Sequence, residues 1–222
     1  KGAETQAIYD DEHNNKTHLV AIKEDATEIV ITSRGALDMM DQGGVVGAHG
    51  GFAPLWLFKR QTLLTGIGAQ VKKLAKSLPE VPAPLDYHNL SAAIAGQVAY
   101  TTGSTAATTT AEEALTLGRG VCQDHAHIFI AAARQAGHPA RYVSGYLMMN
   151  DRISQEATHA WAEVWIENLG WTGFDVSNGI SPDARYVRLA TGLDYSQAAP
   201  ISGMTRGGSG ETINVDVQVQ QQ

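Results

Sequence analysis

The stretch GRGVCQDHAH (118–127) holds the only cysteine in the chain, Cys122, directly after two glycines and at the start of a helical pattern. A lone thiol can be an inert core group or a nucleophile. The first turn of a helix presents unpaired backbone N–H groups and the positive end of the helix dipole, and both favour an anion. The thiolate is the reactive form of cysteine. Gly118 and Gly120 allow the entering backbone to turn sharply and bring amides close to a substrate carbonyl. The second element of chemistry is THAWAEVW (158–165), where strand alternation puts His159, Trp161, Glu163 and Trp165 on one face. Ala160, Ala162, Val164 and Ile166 point to the other face, which is expected to be the buried one.

The third element follows from pairing. If GWTGFDV (170–176) forms a hairpin with that strand, turning at Glu167-Asn168, then Trp171 opposes Glu163, Gly173 opposes Trp161 and Asp175 opposes His159. Cross-strand partners have Cβ atoms about 5 Å apart on one face. A carboxylate beside an imidazole holds the ring in one tautomer and stabilises the imidazolium. A one-residue slip would put the two on opposite faces. The candidate catalytic residues are therefore the Cys122 thiol and the His159–Asp175 pair.

Elements on either side must hold these groups in place. Residues 1–58 read as a β-rich region, with strands at THLVAIK (17–23) and EIVITS (28–33) and a turn at Asp10–Lys16. The glycine-rich stretch 44–54 lacks the strand and helix context of a phosphate loop and reads as a loop, with His49 a solvated loop residue. From residue 59 to 200 the pattern belongs to a core. Helical spacing covers 60–77, closed by Pro79, Pro82 and Pro84, and a second helical stretch covers Leu90–Tyr100. Thr110 and Glu113 form a capping box for a short helix ending near Gly118. The helix after Cys122 carries Ala126, Phe129 and Ala133 on one stripe, and Gly137 then Pro139 stop it. Strands follow at 141–148, 158–166 and 171–176. In the last region, 201–222, TINVDVQV (212–219) alternates strictly and reads as a half-buried strand returning to the N-terminal sheet.

Composition bounds the function. The 222 residues carry a net charge of −7, and no lysine/arginine cluster offers a nucleic-acid surface. No apolar run approaches the roughly 18 residues needed to span a membrane. One cysteine permits no intramolecular disulfide, which fits a reducing, cytoplasmic setting. A metal site at Cys122 and His125 lacks a third ligand in register, because His127 points elsewhere, so neither metal nor cofactor is expected. Asp124 in the first turn is accounted for by the helix dipole, and His138, between Gly137 and Pro139, by a turn. Trp161, Trp165 and Trp171 either line a cleft or pack the sheet. Tyr100 is a possible oxyanion donor that spacing does not place; the Cys122 amide is the expected one.

The order Cys–His–Asp on helix start, strand and adjacent strand resembles the transglutaminase-like cysteine enzyme superfamily, more closely its bacterial members. The resemblance rests on GRGVCQDHAH (118–127), ARYVSGYL (140–147), THAWAEVW (158–165) and GWTGFDVSNG (170–179). It implies an α+β, papain-like core in which the nucleophile helix packs on an antiparallel sheet, with the triad Cys122, His159 and Asp175. Cross-linking animal transglutaminases carry Gly-Gln-Cys-Trp where this chain has Gly120-Val121-Cys122-Gln123, which turns the expectation toward hydrolysis of amide, peptide or isopeptide bonds through a thioester. Transfer of the same acyl group to an amine is the alternative within enzymes. A non-catalytic peptide-binding domain is the alternative outside them, although a binding module has no need of a thiol beside an oriented base. The expected partner is a protein or peptide substrate, with specificity set by loops 43–54, 101–109 and 149–157.

Overall fold

In a computed structural model of the chain, residues 1–149, 154–155, 158–203 and 212–219 are described. An N-terminal hairpin of β1 (Ala3–Asp10) and β2 (Lys16–Ile22) is followed by the short β3 (Val45–Gly47) and a single 3-10 turn, Leu55–Lys59. Next come α1 (Ala69–Ala75), α2 (Pro84–Ala95), β4 (Ala99–Tyr100), α3 (Ala111–Leu117), β5 (Arg119–Gly120) and α4 (Cys122–Gln135). The remainder is β6 (Ala140–Leu147), β7 (Ser154–Gln155), β8 (His159–Ile166), β9 (Gly170–Phe174), β10 (Tyr186–Gly192), α5 (Tyr195–Ala198) and β11 (Val217–Gln218).

The central sheet runs β10-β6-β8-β9-β3, antiparallel throughout. Helix α4 lies across it, and their shared core joins Ala126, Phe129, Ile130 and Ala133 to Ala160, Ala162, Val164 and Phe174. The small alanines let helix and sheet approach closely, while Phe129 stacks on Phe174 at 5.5 Å between ring centroids. Truncating such a buried ring to alanine costs about 3–5 kcal/mol. This is an α+β arrangement in which the helix that begins at Cys122 packs on an antiparallel sheet.

The face of β8 expected to be open is also covered. Trp161 packs with Val143, Leu147 and Tyr186, and Trp165 joins Phe58 and Trp171. Between these two clusters Glu163 is completely buried. Alternation separates the two faces of a strand without saying how many of them are covered.

Several boundaries differ from the sequence pattern for local reasons. Helix is confined to 69–75 within the expected 60–77, because Thr62 and Thr65 close a turn, each backbone N–H donating to the other's hydroxyl at 2.9 and 3.2 Å. The first amides of α1, at Gln70 and Val71, donate to the Glu112 carboxylate at 2.8 and 2.9 Å. The second helix begins at Pro84 and is over before Tyr100. Proline fits a first helical turn, where its missing N–H costs nothing. The Thr110–Glu113 box is present, with Thr110 N–H donating to Glu113 at 2.8 Å, and α3 ends at Gly118 in the left-handed region, φ +69.

Two β expectations are corrected. Residues 28–33 form no strand, and Ile29, Val30 and Ile31 stay exposed. Strand structure in 212–219 is limited to Val217–Gln218, which pairs with Ser154–Gln155 and not with the N-terminal sheet. A period-2 pattern marks a segment able to pair but does not name its partner. The N-terminal hairpin docks instead through its turn: Asn15 donates to the Thr191 carbonyl at 2.7 Å and accepts from the Thr191 amide at 2.8 Å.

Candidate active site

The nucleophile candidate is placed by a short parallel ladder. Tyr100 of β4 pairs with Gly120 of β5, and the Thr101 amide donates to the Gly120 carbonyl at 2.7 Å. Gly120 cannot carry a side chain here, since a Cβ would sit 2.7 Å from the Asp124 Cβ. Asp124 folds back over it, and its Oδ2 accepts from the Val121 amide and the Thr105 hydroxyl, both at 2.7 Å. Asp124 thus does more than offset a dipole: it closes the helix start and ties the threonine-rich loop to it. Cys122 opens α4 and is largely buried.

His159 opens β8 directly opposite Gly145 of β6. Gly145 leaves room for the Trp161 ring, which a Cβ there would approach to 2.5 Å. The imidazole meets Asp175 at 2.6 Å through Nε2, and Cys122 is the other ionisable group that acts on the same ring. Burial works against a charged imidazole, but the hydrogen bonds and negative charges of Asp175 and Cys122 outweigh it and raise His159 to about 10. Burial likewise opposes the Asp175 anion, and it is overcome by hydrogen bonds from His159, Asn178 and Tyr186, which hold the carboxyl below its ordinary value. His159 and Asp175 are therefore in direct contact, and Cys122 is close enough to act on the same imidazole.

The pairing behind this differs from the one expected. Glu163 opposes Gly173 and Trp165 opposes Trp171, a shift of two residues. The turn uses three residues, Glu167–Leu169, with Asn168 and Gly170 both at positive φ. A shift of two preserves facing, so Asp175 stays on the His159 side of the sheet and reaches it diagonally.

Other residues are reassigned. His125 is not available to a metal: Nε2 donates to the Val98 carbonyl at 2.9 Å and Nδ1 accepts from the Ser177 hydroxyl at 2.8 Å. Burial lowers its pKa, so the neutral ring is favoured. No group of three His, Cys, Asp or Glu able to hold a metal occurs among the described residues. His49 is half-buried, not solvated; it accepts from the Trp171 indole at 3.0 Å and contacts Phe58. Trp165 and Trp171 pack together at one end of the sheet. Tyr100 lies on the Cys122 side of the site: burial, then the charges of Cys122 and Asp175, raise its hydroxyl, which therefore remains a donor. Ser177, Asn178 and Tyr186, around Asp175, are the residues sequence reasoning missed. Of the expected specificity loops, most of 149–157 lies outside the described residues.

Comparison with known proteins gives three findings. Residues 74–176, which include Cys122, His159 and Asp175, match the family model of the transglutaminase-like superfamily. An uncharacterized protein of Mycobacterium tuberculosis is 37% identical over 152 residues, covering 64% of this chain and 48% of the relative. One of Mycobacterium leprae is 33% identical over 125 residues, covering 54% and 44%. The chain thus spans about half the length of the curated relatives it matches. Among solved structures, that of “a Putative Cysteine Protease from Cytophaga hutchinsonii” superposes with a TM-score of 0.59 at 25% identity, covering 83% of this chain and 63% of that one. No helix among the described residues is long and apolar enough to cross a membrane.

Proposed function

We propose, from the match of residues 74–176 to the transglutaminase-like superfamily, that the protein is a thiol-dependent hydrolase of amide, peptide or isopeptide bonds in a protein or peptide substrate. The observation that carries this reading is the 2.6 Å contact of His159 with Asp175, on the imidazole that Cys122 also acts on. Asp175 engages Nε2, which leaves Nδ1 of the same ring for the thiol. Sγ of Cys122 attacks the carbonyl carbon, and the resulting oxyanion takes hydrogen bonds from the Cys122 amide and the Tyr100 hydroxyl. Imidazolium His159 passes its proton to the departing amine nitrogen as the C–N bond breaks, leaving a thioester on Cys122. Water then attacks the thioester carbonyl, His159 accepts its proton, and the acid product leaves with the thiol restored. The likeness to the Cytophaga protein supports hydrolysis over transfer. A reducing, cytoplasmic setting belongs to the same proposal, because the thiol has to remain free.

The test is turnover of peptide substrates by wild type and Cys122→Ala. Loss of all turnover in the variant, with unchanged folding, is expected; full turnover without the thiol would end the mechanism. Analysis of the products with a primary amine present separates the two fates of the thioester. Free acid is the expected product, and a dominant amide adduct would replace hydrolysis with acyl transfer.

A further inference from the structure

Asp175 has more hydrogen-bond donors than an orienting carboxylate requires. Oδ1 accepts from the amides of Ser177 and Asn178 at 2.9 and 3.3 Å. Oδ2 accepts from His159 Nε2 at 2.6 Å, Asn178 Nδ2 at 2.6 Å and the Tyr186 hydroxyl at 2.8 Å. Three donors therefore converge on the oxygen that holds the imidazole. The two backbone amides already fix the loop after β9. Asn178 and Tyr186 add nothing to that loop's path, yet both reach the oxygen facing His159.

Tyr186 comes from β10, two strands away from β8 in the sheet. Its pairing with Leu147 and its amide bond to the Asp183 carbonyl at 3.1 Å bring it under the site. The ring packs edge-on against Trp161 at 5.5 Å and lies 5.9 Å from His159. It is nearly fully buried. A phenylalanine would fill that volume without desolvating a hydroxyl, so the hydroxyl's contribution is to Asp175.

We propose that Tyr186 is a positioning residue: its hydroxyl, assisted by the Asn178 amide, fixes Oδ2 of Asp175 against His159 and keeps that carboxylate an anion in acid. The inference rests on the catalytic reading of Cys122, His159 and Asp175. The ionisable groups around Asp175 come from several elements: His159 from β8, Tyr100 from β4, His125 from α4 and Tyr186 from β10. Beyond them stand Cys122, behind the imidazole, and Arg185, whose guanidinium is held by Asp183 at 2.6 Å. Of these, only His159 and Tyr186 hydrogen-bond Asp175 directly. Burial and the Asp175 charge raise the Tyr186 hydroxyl far above its ordinary value, so it donates at every working pH. As pH falls, protonation of Asp175 removes the acceptor for the imidazolium, and the ring is no longer held in place for Cys122. Removing a donor from the anion brings this event to higher pH.

The experiment needs no substrate. The rate of Cys122 alkylation by iodoacetamide is measured from pH 4.5 to 9 in wild type, Tyr186→Phe, Asn178→Ala and His159→Ala. Tyr186→Phe is expected to react about tenfold slower than wild type at pH 5, as loss of a hydrogen bond to a charged group implies, and at nearly the wild-type rate at pH 8. Asn178 is exposed, so Asn178→Ala gives the same reading if Tyr186→Phe does not fold. Curves that remain parallel at all pH values, or coincide with wild type, would reduce Tyr186 to packing and overturn the inference. Alkylation in wild type that is indifferent to His159→Ala would overturn the catalytic reading itself, a separate result.

Discussion

Four residues apart on one face of β8, His159 and Glu163 each meet a buried partner of opposite charge, and the two sites serve different ends. Glu163 is wholly enclosed. It binds Arg141 at 2.6 Å and Arg188 at 3.0 Å, and Arg141 also lies 4.0 Å over the Trp171 ring. Guanidinium groups keep their charge throughout the working pH range, so this cluster has one state. At the other end of the strand the cation is an imidazole, raised to about 10, which unlike a guanidinium gives up its proton as pH rises through that value. Its second neighbour is a thiol at the mouth of a helix, and its side chain remains 12% exposed. Both sites bury a carboxylate with a cation; only the one at His159, where the catalytic role is proposed, pairs a titratable cation with a neighbouring thiol.

The largest effect that would break this contrast comes from Glu163→Gln. Removing one partner of a buried ion pair leaves the other charge uncompensated, at a cost of about 3–5 kcal/mol. Urea denaturation should show that loss, while Cys122 in the folded fraction keeps its wild-type alkylation rate. A stable variant with a silenced thiol would make the Glu163 cluster part of the site.

The two clusters should also fail at opposite ends of the pH scale. Burial opposes the Glu163 anion, but the charges of Arg141 and Arg188 prevail and hold its carboxyl below the ordinary 4.5. Its contribution to stability is present above that value and is lost as pH falls through the depressed one. His159 runs the other way: raised from 6.5 to about 10, it contributes fully below 6.5 and loses that contribution as pH rises through about 10. Denaturation midpoints against pH should therefore show the alkaline loss flattened in His159→Ala and retained in Glu163→Gln. An alkaline limb untouched by His159→Ala would remove the linkage assigned to the imidazole.

The same contrast explains what the sequence could convey. Cys122 announces itself through local signals: glycines before it, a helical stripe after it, a stop at Gly137. Asp175 was placed beside His159 by counting along a hairpin, and the count survived a two-residue error because strand facing has period 2. Tyr186, Asn178 and Arg188 left no such mark. Tyr186 and Arg188 meet β8 only through β10, whose place beside β6 is a long-range pairing with no local signature. Residues 28–33 and 212–219 show the converse, since their patterns are compatible with strands that find little or no partner here. His49 read as a loop residue because its indole partner is 122 positions away.

Arg188→Gln gives the smallest and most discriminating test. Arg188 and Arg141 both bind Glu163, but the Arg188 side chain is 39% exposed and that of Arg141 only 7%. Water shares the solvation of Arg188, so its pair with Glu163 is screened and its loss should cost about 1 kcal/mol or less. Arg141→Gln forfeits a desolvated pair and the contact over Trp171, and should approach the cost of Glu163→Gln. If burial is what turns an ion pair from a surface ornament into a structural requirement, the ratio of these two losses in urea denaturation has to be well above one. Equal losses would mean that Glu163 needs both charges alike, and enclosure would no longer distinguish this cluster from the one at His159.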